Sequence, residues 1–397
     1  MKNILEIFWI FFKLGCSSFG GPVAHLGYFH NEFVIKRKWL NDDEYTRLVS
    51  LCQILPGPAS SQVGISLGYL QKKYWGGFAA WLGFTLPSVI IMTSLALGTT
   101  TFTRILNSQS MHGLKVLAAV VVAHALYSMS RSTLKNTATI SIAIASCLYV
   151  LFSEQTYSHI VVIVLAVFFS LLQKTDLIAQ SDILQNRKKI NFKELSVFGL
   201  LYILGLTTTF TALNFIDPKS VTALALKFYR IGSLVFGGGH VVLPMIQSEV
   251  VQSGFINLDS FLAGYGLAQI IPGPMFTLSS YIGASAFLQT SPVLASLIST
   301  LAIFTPSFFI LFAILPTWQN LHLSPKTNQV LKNINCAVLG LLAAAYIHPI
   351  ATSSLINIYD YAICAIGIYL LIFRKTKILA LATFILVFYN IISYLKL

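Results

Sequence analysis

Charge is scarce in this chain: only 10% of its 397 residues are Asp, Glu, Lys or Arg, and the acidic ones number 13. A soluble globular domain carries about 25% charged residues, so that class is excluded. Cysteine is equally sparse. The five present (Cys16, Cys52, Cys147, Cys336 and Cys364) show no CxxC pair and mostly sit in apolar runs, which excludes a disulfide framework and reads them as small buried residues. His112, His124, His159, His322 and His348 share no common spacing, so no metal site is expected. No phosphate-loop pattern occurs, so ATP drive would require another chain, and no cofactor motif is present. Nor is there a basic domain. The 26 Lys and Arg, giving a net charge of +13, sit in short loops between apolar segments, which argues for membrane topology and against nucleic acid.

What is abundant is apolar sequence, 56% of the chain, with a mean hydropathy of +0.76. Windows of about 18–22 apolar residues recur, each long enough to cross a bilayer as a helix. The expected fold is an all-α polytopic membrane protein with about thirteen transmembrane or re-entrant helices. Spans are predicted near 4–28, 48–70, 76–99, 112–130, 136–152 and 158–173, then 195–214, then 222–246, 261–288, 292–315, 331–350, 354–373 and 378–395. Residues 174–194, with Lys174, Arg187, Lys188, Lys189 and Lys193, form the one convincing linker. The expected organisation is an N-terminal domain 1–173, a basic linker and connecting helix 174–221, and a C-terminal domain 222–397. Met1 to Gly15 contains Glu6 and runs into functional-looking sequence, so no cleaved signal is expected.

Two interruptions recur. Phe19-Gly20-Gly21-Pro22 and Leu55-Pro56-Gly57-Pro58 in the first half match Phe236-Gly237-Gly238-Gly239 and Ile271-Pro272-Gly273-Pro274 in the second. Glycine runs and Pro-Gly-Pro break helices, and within a bilayer such breaks occur only where protein or a wet cavity satisfies the freed backbone. Lys13 and Gly15 align with Arg230 and Gly232, Glu32 with Glu249, Asn41 with Asn257, Gln53 with Gln269, and Pro87-Ser88 with Pro306-Ser307. A basic residue, a glycine turn, an acid, a glutamine and Pro-Gly-Pro in one order over some 75 residues reads as two homologous halves. With six crossings per half and a single extra crossing at 195–214, the halves are expected to be inverted repeats. Loop charges at Lys72 and Lys73, Arg131 and Lys135, the linker, and Arg374, Lys375 and Lys377 place the N-terminus in the cytoplasm. The same count puts Lys36-Arg37-Lys38 outside, against the rule, and Trp39 reads as a headgroup anchor.

The run from Lys13 to Gly27 (Lys-Leu-Gly-Cys-Ser-Ser-Phe-Gly-Gly-Pro-Val-Ala-His-Leu-Gly), Lys38-Trp39-Leu40, and Leu51 to Val63 around Pro56-Gly57-Pro58 closely resemble the chromate ion transporter (CHR) family. Phe236 to Pro244 and Gln269 to Pro274 resemble that family's C-terminal domain. The resemblance covers nearly the whole chain and implies the long-chain, two-domain form, a multi-pass protein of the cell membrane that exports chromate using the proton motive force. One position departs: the family pattern favours Arg where this chain has Lys13, and an ammonium lacks the bidentate fork of a guanidinium.

Chromate is a tetrahedral dianion, and taking it out of water requires several donors and positive charge. Gly20, Gly21, Gly237, Gly238 and Gly239 are candidates to turn backbone N–H groups toward it, although small residues also serve close helix packing. Lys13 and Arg230 lie within spans, where an ionisable residue is costly and commonly functional; snorkelling to the interface is the competing explanation. Gln53, Gln62 and Gln269 offer amide donors, with Ser60, Ser61, Ser279 and Ser280 near the same breaks. Pro56, Gly57, Pro58, Pro272, Gly273 and Pro274 are expected to shape the backbone of the binding site. His25, Glu32, His240 and Glu249 are the proton-coupling candidates. No catalytic residue is assigned. The expected partners are chromate or a similar oxyanion and the lipid bilayer, with a homodimer left open. Sulfate carriage fits the same chemistry. A membrane-embedded enzyme acting on lipid phosphate would need paired acids or a nucleophile and base in the spans, and the scarcity of Asp and Glu there argues against it.

Overall fold

Among the described residues, the runs that interrupt the apolar sequence, Gly20-Gly21-Pro22 and the two Pro-Gly-Pro segments, also interrupt helices. The structure, a computed structural model, describes residues 3–102, 108–153, 158–173, 192–236, 242–320 and 325–395. All regular elements among them are helical. The first half holds α1 (Ile4–Ser17), α2 (Gly21–Phe29), α3 (Asp42–Ile54), α4 (Ala59–Phe102), α5 (Ser108–Thr133), α6 (Thr137–Phe152) and α7 (Ser158–Leu172). After α8 (Phe192–Thr211) come α9 (Val221–Leu234), α10 (Val242–Ile246), α11 (Leu258–Ile270), α12 (Leu278–Ser285) and α13 (Pro292–Ile314). The chain ends with α14 (Pro325–Ala345), the short turn α15 (Thr352–Ser354), α16 (Ile358–Phe373) and α17 (Ile378–Leu395). Most of the expected linker, 174–191, lies outside the described residues.

Five helical stretches are long and apolar enough to cross a bilayer: Ala59–Gly98, Gln109–Thr133, Val197–Asn214, Pro292–Trp318 and Gln329–Ser354. Shorter apolar helices, α6, α7, α16 and α17 among them, accompany these. The chain is an all-α polytopic membrane protein. Its outer faces carry Trp9, Leu148, Phe168, Leu200, Phe215 and Val387, all exposed, as a surface facing acyl chains should. The spans expected at 4–28, 48–70 and 261–288 are each cut in two by their glycine or proline run, and in the span expected at 222–246 α9 stops at Leu234. α4 contains a further feature: Lys72 (φ −144°) and Lys73 (φ +46°) leave the helix and fold arms 59–71 and 74–102 into a hairpin. Trp75, 70% exposed, stands beside that turn, where an indole suits the membrane interface.

The repeat read from sequence recurs in the local chemistry. Asn41 Oδ1 accepts from the Glu44 N–H at 2.8 Å to start α3, and Asn257 Oδ1 accepts from the Ser260 N–H at 2.7 Å to start α11. Glu32 and Glu249 both sit in π-helical turns, His30–Lys36 and Gln247–Val251. Gly15 lies against the Phe84 carbonyl, where a Cβ would come within 2.6 Å, and Gly232 lies against the Ile303 carbonyl, where it would come within 2.1 Å. These paired close approaches let α1 cross α4 and α9 cross α13 backbone to backbone.

The halves then interlock. α5 of the first half packs against α16 and α17, while α14 of the second packs against α6 and α7. Asn333 on α14 donates to Ser170 Oγ at 2.9 Å, and His112 on α5 meets Asp360 of α16 at 2.9 Å. One contiguous apolar core, with Phe11, Phe29, Phe33, Trp81 and Phe304, joins both halves, so neither packs as an independent bundle.

Candidate functional site

Pro-Gly-Pro ends one helix and begins another, and its central N–H is left without a helical partner. Here the other half supplies that partner. The Gly57 N–H donates to the Val235 carbonyl at 2.7 Å, and the Gly273 N–H donates to the Ser18 carbonyl at 3.0 Å. Ser18 and Val235 are equivalent residues, each capping the helix that precedes a glycine run. The side chains on these loops are equally reciprocal. A Cβ on Gly57 would stand 2.4 Å from Ser307 Oγ, and one on Gly273 would stand 2.7 Å from Ser88 Oγ. Both glycines have positive φ, +124° and +102°, so each loop needs glycine for its backbone and again for its neighbour. The four broken segments therefore meet at one crossing.

Several buried polar atoms around that crossing have no protein hydrogen-bond partner: Ser18 Oγ, His25 Nε2, Ser61 Oγ, Gln62 Oε1 and Thr85 Oγ1. Folded proteins pair nearly all such groups, so a cluster of them marks where a polar solute or water is handled. Gln62 is held by donation from Nε2 to the Pro56 carbonyl at 2.7 Å, with Ser307 Oγ at 3.4 Å, and its Oε1 is left over. His25, 1% exposed, lies 3.5 Å from Ser60 Oγ and edge-on to Phe84. Pro58, Gly273 and Pro274 are buried, and Pro56 and Pro272 half-buried. Gly20 and Gly21, at φ +99° and +74°, form the break itself, and no atom stands within 4 Å of where a Gly21 Cβ would be. Gln269 is buried with Nε2 3.2 Å from Met275 Sδ, whereas Gln53 is exposed on α3. Gly237, Gly238, Gly239 and His240 lie outside the described residues.

The paired charges have diverged between the halves. Arg230 and Glu249 are each 1% exposed, and Arg230 Nη2 donates to Glu249 Oε2 at 2.5 Å. Lys227 Nζ lies 3.4 Å from the same oxygen and donates to Ser253 Oγ at 3.0 Å. His159, from α7, brings Nε2 to 3.7 Å from Glu249 Oε1. Lys13 and Glu32 do not repeat this arrangement. Lys13 is exposed on α1, while Glu32 accepts from Arg37 Nε at 2.7 Å and pairs with Lys36 at 3.4 Å. Lys227 was visible in principle, three residues before Arg230 and hence on the same helical face. His159 was not, because it reaches Glu249 from another half through helix exchange. Among the described residues no three His, Cys, Asp or Glu side chains converge as a metal site.

The sequence profile of the family described as "Chromate transporter" matches this chain twice, over residues 5–171 and 222–392. The chain belongs to the chromate transporter family. The two matches to this family coincide with the two sets of broken helices, one crossing partner coming from each. An uncharacterized transporter of Methanocaldococcus jannaschii is 27% identical over 95% of this chain and 91% of its own length. The chromate transport protein of Cupriavidus metallidurans is 24% identical, covering 94% of this chain and 89% of its own length. That of Pseudomonas aeruginosa is 23% identical, covering 86% and 80%. No solved structure matches the chain.

Proposed function

We propose that this member of the chromate transporter family is a secondary active transporter that exports chromate from the cytoplasm, driven by the proton motive force. The crossing of the broken helices is its substrate site. The observation that carries this reading is the reciprocal pair of hydrogen bonds, Gly57 to Val235 and Gly273 to Ser18, with unpartnered buried polar atoms gathered around them. Each bond ties a loop of one half to a break of the other, so a rocking of the halves exchanges donors at the crossing and can open it to either side. Relatives named chromate transport proteins span nearly the full chain, which supports chromate as the anion. The halves act as inverted repeats, domains 1–173 and 222–397 joined through 174–221, in the cell membrane with the N-terminus in the cytoplasm. Lys13 attracts the anion from its exposed position on α1, and the glycine breaks and Gln62 hold it.

The test is chromate uptake by everted membrane vesicles containing the protein, with and without a protonophore and with excess sulfate. Export in cells corresponds to uptake here, abolished by the protonophore and resistant to sulfate. Uptake that survives the protonophore removes the coupling, and sulfate flux without chromate flux reassigns the substrate to another tetrahedral oxyanion.

A further inference from the structure

A cavity of about 380 Å³ opens away from the crossing, between α7, the second π-helical turn and the end of α14. Its polar lining is Ser153, Ser158, His159, Gln247, Ser248, Gln252 and His348. At about 30 Å³ per water, that volume holds an oxyanion with part of its hydration. None of these lining groups carries a fixed charge. The charge stands immediately behind them.

His159 is 3% exposed and forms the wall between the cavity and the buried ion cluster. Its Nδ1 lies 3.3 Å from Ser248 Oγ, while Nε2 faces Glu249 Oε1 at 3.7 Å, beyond hydrogen-bond reach. Neither Nε2 nor Oε1 has a hydrogen-bond partner among the described residues. Glu249 Oε2 is taken by Arg230 and Lys227, two cations on one carboxylate, so the cluster already has one positive charge in excess. A proton on His159 would lie between Nε2 and Oε1 and raise that excess to match a dianion. Imidazole is the side chain that changes charge between about pH 5 and 8.

We propose that this cavity is a second oxyanion site, filled when His159 is protonated and emptied when it is neutral, so that its occupancy by a tetrahedral dianion follows the charge on that imidazole. The inference rests on the transport reading above and adds to it an anion site apart from the crossing. The titratable and charged groups facing His159 are Glu249 from the π-helical turn, Lys227 and Arg230 from α9, and His348 beyond α14. Lys326 and Lys332 sit at the start of α14, more than two turns from the cavity-lining Leu341, and Lys326 is spent on the Leu171 and Gln173 carbonyls. Glu154 and His240 fall in segments outside the described residues.

Equilibrium dialysis of labelled molybdate, a tetrahedral dianion under both conditions whereas chromate takes up a proton near the lower one, against the purified full chain in lipid nanodiscs at about pH 6 and about pH 8 tests this. The wild type is expected to bind one more molybdate per chain at the lower pH than at the higher. His159→Gln should lack that extra anion at both, and His159→Lys, whose charge is fixed, should hold it at both. Both variants are compared as monodisperse preparations, and either alone decides the matter if the other does not fold. An extra anion that persists with its pH dependence in His159→Gln, or is absent from the wild type while chromate still binds and flux continues, overturns the inference and leaves the transport reading standing. Absence of any bound chromate, sulfate or molybdate at both pH values overturns the transport reading and this inference with it.

Discussion

Arg230 and Glu249 form a buried ion pair at 2.5 Å, whereas their repeat equivalents Lys13 and Glu32 each face a different environment and do not pair with one another. One ancestral pair of positions thus serves two purposes. In the second half the charges are locked inside protein, with Lys227 and His159 gathered around them. In the first half the cation is open and the acid is held by its own turn. Two halves with identical chemistry would present the same charges on their equivalent elements, and this divergence removes that equivalence.

Removing the acid should cost more than removing Arg230. Glu249→Gln leaves Arg230 and Lys227 inside protein with no counter-charge between them, and an uncompensated buried charge costs about 3–5 kcal/mol. Arg230→Met keeps the Lys227–Glu249 pair and should be the milder single change, and adding it to Glu249→Gln takes one of the two stranded cations away and should restore part of the stability. Thermal unfolding in detergent measures the order. Arg230→Met no more stable than Glu249→Gln would mean that the carboxylate is not what holds the cluster together.

The Pro-Gly-Pro loops should tolerate no side chain. Gly57→Ala places a methyl at φ +124° and 2.4 Å from Ser307 Oγ, and an L-residue in such a backbone region costs about 1–3 kcal/mol before the clash is counted. Chromate flux at matched expression should fall at least tenfold, with Gly273→Ala equivalent to it through Ser88. Gly57→Ala combined with Ser307→Gly relieves the clash but not the backbone strain, so it should recover flux only in part. Full recovery would show that space, and not loop conformation, is what the glycine provides.

The helical class and both helix breaks were legible because composition and punctuation are local properties. Apolar runs report lipid, and Gly20-Gly21-Pro22 and Pro56-Gly57-Pro58 cannot continue a helix whatever surrounds them. The repeat was legible for the same reason, residue by residue, down to the capping Asn41 and Asn257. What sequence spacing did not disclose was any contact that passes between the halves. Gly57 meeting Val235, α5 leaving its own half for α16 and α17, and His159 arriving at Glu249 all depend on how the halves interlock. The same limit explains Gln53, which stands beside the motif in sequence yet faces outward because α3 turns its buried side toward Leu48 and Cys52.

Acid should loosen the first half through Glu32. Burial pushes its carboxyl upward, but the Arg37 guanidinium and the Lys36 ammonium outweigh that and hold it below its ordinary value of 4.5. A carboxylate depressed in the folded state contributes stability that is present above its unfolded value and lost as pH falls through the folded one. Unfolding temperature should therefore decline below about pH 4.5 in the wild type, and Glu32→Gln should show a lower plateau near neutrality with a shallower decline in acid. Parallel curves for the two proteins would assign the acid sensitivity elsewhere.

Lys13 carries the part of the transport reading most exposed to refutation. It is exposed on α1, one turn before the helix ends, and makes no ion pair among the described residues, so its removal strands no buried charge and should leave thermal stability close to wild type. A cation placed just before the glycine break contributes to the potential that draws a dianion toward the crossing. Lys13→Ala should then depress chromate flux far more than Lys72→Ala, which removes an equal charge at the hairpin turn of α4. Lys13→Arg should transport at least as well, since a guanidinium keeps the charge and adds a forked pair of donors. Flux measured at rising ionic strength separates attraction from contact: screening should narrow the gap between wild type and Lys13→Ala if Lys13 acts at a distance, and leave it unchanged if Lys13 touches the anion. Equal losses in Lys13→Ala and Lys72→Ala would return Lys13 to the role of an interfacial side chain.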